Sequence, residues 1–244
     1  MPLRKLLLLS NSTTHGYGYL EHAREDIKEF FGSGSMEIAF VPYAGVSISY
    51  DDYEDKAANA FKPLGYKIKS CHKADDPKSF IEDASAIAVG GGNTFHLLKK
   101  MYEYGLIETI REKAKKGIPY IGWSAGSNMA CPSIRTTNDM PIVQPPSFEA
   151  LNLIPFQINP HFVDTHIENH KGETREQRIQ EFTIANPGMY VVGLREGTAL
   201  KLENSSLYLL GEKPARVFMH GSDPKEIAKG ERLTFLLNIP AGYH

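Results

Sequence analysis

Cysteine is scarce: Cys71 and Cys131 are the two among 244 residues, too few for a disulfide framework. Each lies inside an apolar or mixed segment, so the chain reads as one made for a reducing compartment, the cytoplasm. Long hydrophobic runs are missing as well. Leu6–Leu9 is a run of four leucines, shorter than a signal-peptide core and far below the roughly 18 apolar residues of a membrane span. It reads as a first buried strand, and no membrane association is expected. Basic charge is not in excess, because 27 Lys and Arg face 29 Asp and Glu for a net charge of -2. With no long Lys/Arg run, nucleic acid is not an expected partner. Low-complexity tracts, internal repeats and linkers are also absent. What remains is a soluble globular composition, read as one domain over residues 1–244 and long enough to bury a substantial core.

What is present is alternation. Short β-rich runs at Leu6–Leu9, Glu37–Val41, Tyr66–Ser70, Ala86–Val89 and Tyr120–Trp123 are separated by helical patterns near Leu20–Phe31, Tyr53–Phe61, Pro77–Asp83 and Thr94–Lys116. Strands apolar on both faces between amphipathic helices predict a doubly wound α/β fold, its mostly parallel sheet covered on both sides. From Cys131 to Ile158 prolines accumulate and periodicity fades, and a helix follows near Thr174–Ala185. Five further strand patterns begin at Tyr190: Y-V-V-G-L, T-A-L-K-L, S-L-Y-L-L, R-V-F-M and L-T-F-L-L. They are expected to extend the same sheet.

Ligands of parallel sheets gather at the carboxyl ends of strands, and two loops there have unusual composition. A-V-G-G-G-N-T-F carries Gly90, Gly91 and Gly92, which can turn tightly and aim N–H groups at an oxyanion. It is not a dinucleotide fingerprint, since Phe95 stands where G-x-G-x-x-G needs its last glycine. P-Y-I-G-W-S-A-G-S-N matches G-x-S-x-G at Gly122, Ser124 and Gly126, a pattern that this composition produces about 0.1 times by chance. Its setting, a strand before and small residues after, is that of a nucleophile elbow.

A serine nucleophile needs a base and a group to orient that base. His161 in Q-I-N-P-H-F is the best base, with His166 and His170 as rivals. The last two sit at i, i+4 in H-I-E-N-H, but Ile167 occupies the place of the zinc-protease glutamate and no third ligand is evident, so no metal site is expected. For the orienting carboxylate, Asp139 in T-T-N-D-M-P and Glu196 in G-L-R-E-G are both candidates.

Taken together, I-G-W-S-A-G-S-N-M-A-C-P, I-R-T-T-N-D-M-P-I-V, Q-I-N-P-H-F and H-K-G-E-T-R-E-Q-R-I resemble peptidase E, the α-aspartyl dipeptidase family of serine peptidases. The likeness runs from Leu6 to Gly197 and includes L-L-L-L-S-N-S-T, V-G-G-G-N-T-F and G-L-R-E-G. The resemblance implies a fold like class I glutamine amidotransferases (flavodoxin-like), with extra C-terminal strands. It also implies hydrolysis of Asp-X dipeptides without metal or organic cofactor. Ser124 then corresponds to the nucleophile, His161 to the base and Glu196 to the third member, with Asp139 kept as a further site residue.

An oxyanion hole from the N–H groups of Ala125 and of Gly92 or Gly91 follows from the same mechanism. Arg175 in G-E-T-R-E-Q-R is the implied reader of the aspartate carboxylate, with Arg178 and Arg135 as alternatives. Asn93, together with Asp139 or Glu196, is the implied partner of the substrate ammonium. Two other readings are a cyanophycinase-like serine hydrolase and a non-catalytic ligand-binding member of the amidotransferase-like fold.

Overall fold

The computed structural model describes residues 4–164 and 172–238. In chain order the strands are β1 (Leu6–Leu9), β2 (Met36–Val41), β3 (Tyr66–Ser70), β4 (Ile87–Val89), β5 (Tyr120–Trp123), β6 (Gln157–Phe162), β7 (Val191–Arg195), β8 (Ala199–Glu203), β9 (Ser206–Leu210), β10 (Ala215–Phe218) and β11 (Lys225–Ile227). The helices are α1 (Arg24–Phe31), α2 (Tyr50–Phe61), α3 (Pro77–Glu82), α4 (Thr94–Glu103), α5 (Leu106–Lys115), α6 (Ala125–Met129) and α7 (Arg175–Ala185). Among the described residues no helix is long and apolar enough to cross a membrane.

The larger sheet has the order β3-β2-β4-β5-β1-β8-β9, parallel from β3 to β1 and antiparallel at β8 and β9. All four leucines of β1 are fully buried because successive side chains enter opposite layers. Leu7 and Leu9 join Ile27 and Phe30 of α1 and Phe61 of α2, while Leu6 and Leu8 join Leu97 of α4 and Ile110 of α5. This is the doubly wound arrangement that alternation predicts. Edge strand β3 instead exposes Lys67 and Lys69 on one face.

Three expectations are corrected. The pattern over Thr94–Lys116 is two helices, because Gly105 takes a left-handed conformation (φ 66) between α4 and α5. L-T-F-L-L forms a 3-10 turn over Thr234–Leu237 rather than a strand. Only β8 and β9 extend the larger sheet, whereas β7 and β10 join β6 and β11 in a second sheet of order β11-β10-β7-β6. The partner that draws β7 away is β6, whose polar residues and Pro160 hide its strand character in the sequence.

The sheet order also locates a crevice. From β2 the chain moves outward to β3, then returns across β2 to β4 and on to β5, so the winding reverses between β2 and β4. The carboxyl ends of strands at such a reversal leave a gap between their diverging loops. A cleft of about 480 Å³ lies there, lined by Ala44–Ile48 after β2, Gly91–Asn93 after β4, and Ser124 after β5.

Candidate active site

Ser124 sits between β5 and α6 with φ 53 and ψ -112, outside the usual regions for an L-residue and costing about 1–3 kcal/mol. The surroundings enforce that conformation. Its N–H donates to Leu9 O at 3.1 Å, the Ser127 hydroxyl donates to the same carbonyl at 2.6 Å, and the Tyr120 hydroxyl donates to Gly126 O at 2.7 Å. A Cβ on Gly126 would stand 2.1 Å from Val89 O, and one on Gly122 2.4 Å from Gly126 O. Both glycines are therefore demanded by the closeness of strand, turn and helix.

His161 arrives from the other sheet. The β6–β7 register shifts between Asn159 and Phe162, Pro160 has no N–H to give the ladder, and His161 takes φ 53. Such a bulge re-aims a side chain out of its strand's alternation. The His161 N–H donates to Ser10 Oγ at 2.9 Å, and Ser10 in turn donates to Leu194 O at 2.8 Å. So oriented, the ring places Nε2 at 3.0 Å from Ser124 Oγ and Nδ1 at 2.8 Å from Glu196 Oε1. An ionised carboxylate only accepts, so Nδ1 carries the proton and Nε2 offers its lone pair to the Ser124 hydroxyl. Glu196 follows β7, and the next N–H, of Gly197, donates to Asn11 Oδ1 at 2.8 Å. His22 is a second imidazole within range of that carboxylate: burial lowers its pKa, and the Glu196 charge opposes the shift.

Of the two candidate carboxylates, Glu196 meets His161 and Asp139 does not. Asp139 Oδ2 accepts from the Thr94 N–H at 2.7 Å and the Thr94 hydroxyl at 2.5 Å. A carboxylate suits that place because the first N–H groups of α4 lack helical partners. Asn93 lines the cleft, but its side chain is engaged on both sides: Oδ1 caps α4 by accepting from His96 N–H, and Nδ2 donates to Met140 O.

Gly92 and Ala125 remain as donors. Among the described residues, neither N–H has a hydrogen-bond acceptor. Gly92 takes φ 136, and a Cβ there would lie 2.2 Å from Ala44 O, so no other residue fits. The Tyr53 hydroxyl donates to Gly91 O at 2.8 Å and accepts from Trp123 Nε1 at 3.2 Å. The peptide joining Gly91 to Gly92 is trans, so holding its carbonyl on one side turns the Gly92 N–H to the other. Tyr53, Ser10 and Asn11 have no motif that announces such positioning. Only the quoted S-N-S-T run hinted at the latter two.

Arg175 begins α7, outside the residues that line the cleft. Burial, and then the charge of Arg178, lower its pKa, and among the described residues it has no carboxylate partner. Arg178 pairs with Glu173, and Arg135 packs over Phe148. His166 and His170 lie outside the described residues. Asp51, Glu54 and His72 converge within metal-ligand distances, but Lys73 Nζ already bridges Asp51 and Glu54 at 2.9 and 2.6 Å. Burial pushes both thiols, Cys71 and Cys131, up to about 12, which leaves them inert as nucleophiles.

Residues 6–210 match Peptidase family S51. The chain belongs to that family. It is 50% identical to peptidase E of a Nostoc species over 96% of this chain and 97% of that one. It is 48% identical to peptidase E of Streptomyces coelicolor, over 96% and 95%, and to that of Salmonella typhimurium, over 93% and 99%. Among solved structures, a peptidase from an acI-B1 actinobacterium superposes with a TM-score of 0.69 at 18% identity, covering 95% of this chain and 96% of that one. A Listeria monocytogenes protein superposes at 0.64 and 21% identity, over 86% and 98%. These two show the shared fold, and the S51 membership makes the chain a peptidase.

Proposed function

We propose that this S51 peptidase is a serine dipeptidase that cleaves dipeptides with N-terminal aspartate through an acyl-enzyme on Ser124. The observation that carries the reading is the hydrogen-bonded line from Ser124 Oγ through the His161 ring to Glu196 Oε1. His161 Nε2 takes the hydroxyl proton as Ser124 attacks the carbonyl of the aspartyl residue, and Glu196 stabilises the imidazolium that forms. The Gly92 and Ala125 N–H groups hold the oxyanion, a donor of this kind being worth about 3 kcal/mol in the transition state. His161 then protonates the departing amine, and water, activated in the same way, frees aspartate.

The aspartyl substrate is supported by the 48–50% identity to proteins named peptidase E, together with the sequence motifs. A buried carboxylate needs a charged or multiply hydrogen-bonding partner, and Arg175 is the reader assigned to it. Asp139 acts one step removed, by fixing the start of α4 and with it Asn93.

Ser124→Ala should retain the fold by circular dichroism and lose hydrolysis of Asp-Leu by at least about 10³-fold. Near-normal turnover by that variant would sink the assignment. Preferential cleavage of an aspartate-containing polymer such as cyanophycin by the wild type would replace the dipeptide with the polymer as substrate.

A further inference from the structure

Among the described residues the lining of the cleft is almost uncharged: it contains no carboxylate, and apart from His161 its titratable residues are Tyr19, Tyr53 and Lys56. Lys56 stands one turn after Tyr53 on α2, on the same helix face. Its Nζ lies 4.5 Å from the centroid of the Tyr19 ring. That ring is itself fixed, edge-on to Trp123 with centroids 6.2 Å apart and with its hydroxyl 3.4 Å from that of Tyr53. Among the described residues Lys56 pairs with no carboxylate, whereas Lys73 nearby in the chain pairs with two. An exposed cation rests over an aromatic ring in the same cleft as Ser124, and among the described residues no carboxylate pairs with it.

Resting on the dipeptidase reading, we propose that Lys56 binds the free terminal carboxylate of the leaving residue. The two halves of an Asp-X dipeptide differ in charge. The aspartyl half carries an ammonium and a carboxylate, and the leaving half carries a single carboxylate. Among the described residues the lining has one cation and no anion, which complements the single negative charge of the leaving half. The hydroxyls of Ser12 and Ser47 belong to the same lining and can act as neutral donors. A lysine acts as a point charge on a flexible stem, so the contact tolerates differing side chains on X. Lys56 is thus a specificity residue: it selects peptides that end one residue after the scissile bond.

The test compares Asp-Leu with Asp-leucinamide, which lacks the terminal charge, in the full chain and in Lys56→Met and Lys56→Arg. The wild type should prefer the acid in kcat/KM by about 10-fold or more, the scale of a charge-assisted hydrogen bond. Lys56→Met should raise KM for Asp-Leu with little change in kcat and bring the acid-to-amide ratio close to one. Lys56→Arg should keep most of the preference. Equal proportional losses on acid and amide in Lys56→Met would overturn the proposal. So would loss of the Asp-Leu over Asn-Leu preference in that variant, which would assign the ammonium to the aspartate side chain. A wild type that cleaves both compounds equally well overturns the role of Lys56 alone. One that cleaves neither overturns the dipeptidase reading and this inference with it.

Discussion

The two sides of the site are built by different physics. Ser124, Gly92 and Ala125 hang from the parallel strands of the larger sheet, where backbone atoms approach so closely that a Cβ on Gly126 or Gly92 would overlap a carbonyl oxygen. His161 and Glu196 hang from β6 and β7 of the smaller sheet, and polar contacts hold them: Ser10 to the His161 N–H, Asn11 to the Gly197 N–H. Steric exclusion, with hydrogen bonds from the Ser124 N–H and the Ser127 and Tyr120 hydroxyls, fixes Ser124, whereas hydrogen bonding orients His161. Around Ser124 an added atom meets backbone, while around His161 and Glu196 the arrangement depends more on charge and donors.

Adding one atom to the nucleophile side should therefore have the largest effect. Gly126→Ala forces Cβ against Val89 O, with β4 and α6 both packed in the core, and should cost about 3 kcal/mol or more of stability together with nearly all activity. Urea denaturation and Asp-Leu turnover measure the two losses. A variant with wild-type stability would show that the elbow can relax, and the contrast between the two sides would fail.

On the base side, removing charge while keeping shape is the sharper probe. Glu196→Gln leaves the size of the side chain unchanged but weakens support for the imidazolium, and kcat should fall by about 10²–10³-fold with little change in stability. Asp139→Asn should lower kcat far less, because its partner is Thr94 at the α4 terminus rather than His161. Equal kcat losses in the two variants would contradict this division of roles.

How much of this could be read from the sequence follows the same division. Steric requirements leave glycines at fixed spacing, so the elbow and the triglycine loop were visible, as were the buried strands β1 and β5 with their unbroken apolar runs. Hydrogen-bonded positioning leaves little trace, because Ser10, Asn11 and Tyr53 are ordinary residue types whose partners lie 184, 186 and 38 positions away. Residues alone could not choose between Asp139 and Glu196, since both occupy loops and only the β6 bulge decides which one His161 meets. The smaller sheet was missed for a related reason. Pro160 and the polar residues of β6 belong to a strand bent to aim a histidine, and a strand shaped that way lacks the alternation that identifies one.

On the side of the larger sheet, Tyr53 orients the Gly91 carbonyl without touching substrate in the proposed mechanism. Tyr53→Phe removes its hydroxyl and leaves the ring in place against Phe40, 5.1 Å away between centroids. One hydrogen bond of about 1 kcal/mol should appear as a roughly 5-fold fall in kcat with KM nearly constant, if the Gly92 N–H serves the oxyanion. An unchanged kcat would remove Gly92 from that role.

The smallest expected effect concerns acid. Just beyond His161, Asp164 accepts from Arg195 Nε and Nη2 at 2.7 Å each, and Arg195 also donates to Glu226. Hydrogen bonds from Arg195 hold the Asp164 carboxyl below the usual range, so its contribution is complete above the unfolded-state value near 3.9 and is lost as pH falls through the lower folded value. Because Asp164 is nearly half exposed, screening limits the contribution to about 1 kcal/mol or less. Asp164→Asn should therefore lower the melting temperature slightly at pH 7 and leave it unchanged near pH 2, where the wild-type carboxyl is also losing its charge. Gly126→Ala should stay destabilised at both pH values, since a clash does not titrate. If the Asp164→Asn deficit persisted undiminished in acid, packing rather than charge would be bracing the strand that carries His161, and the two sides of the site would differ less than their contacts suggest.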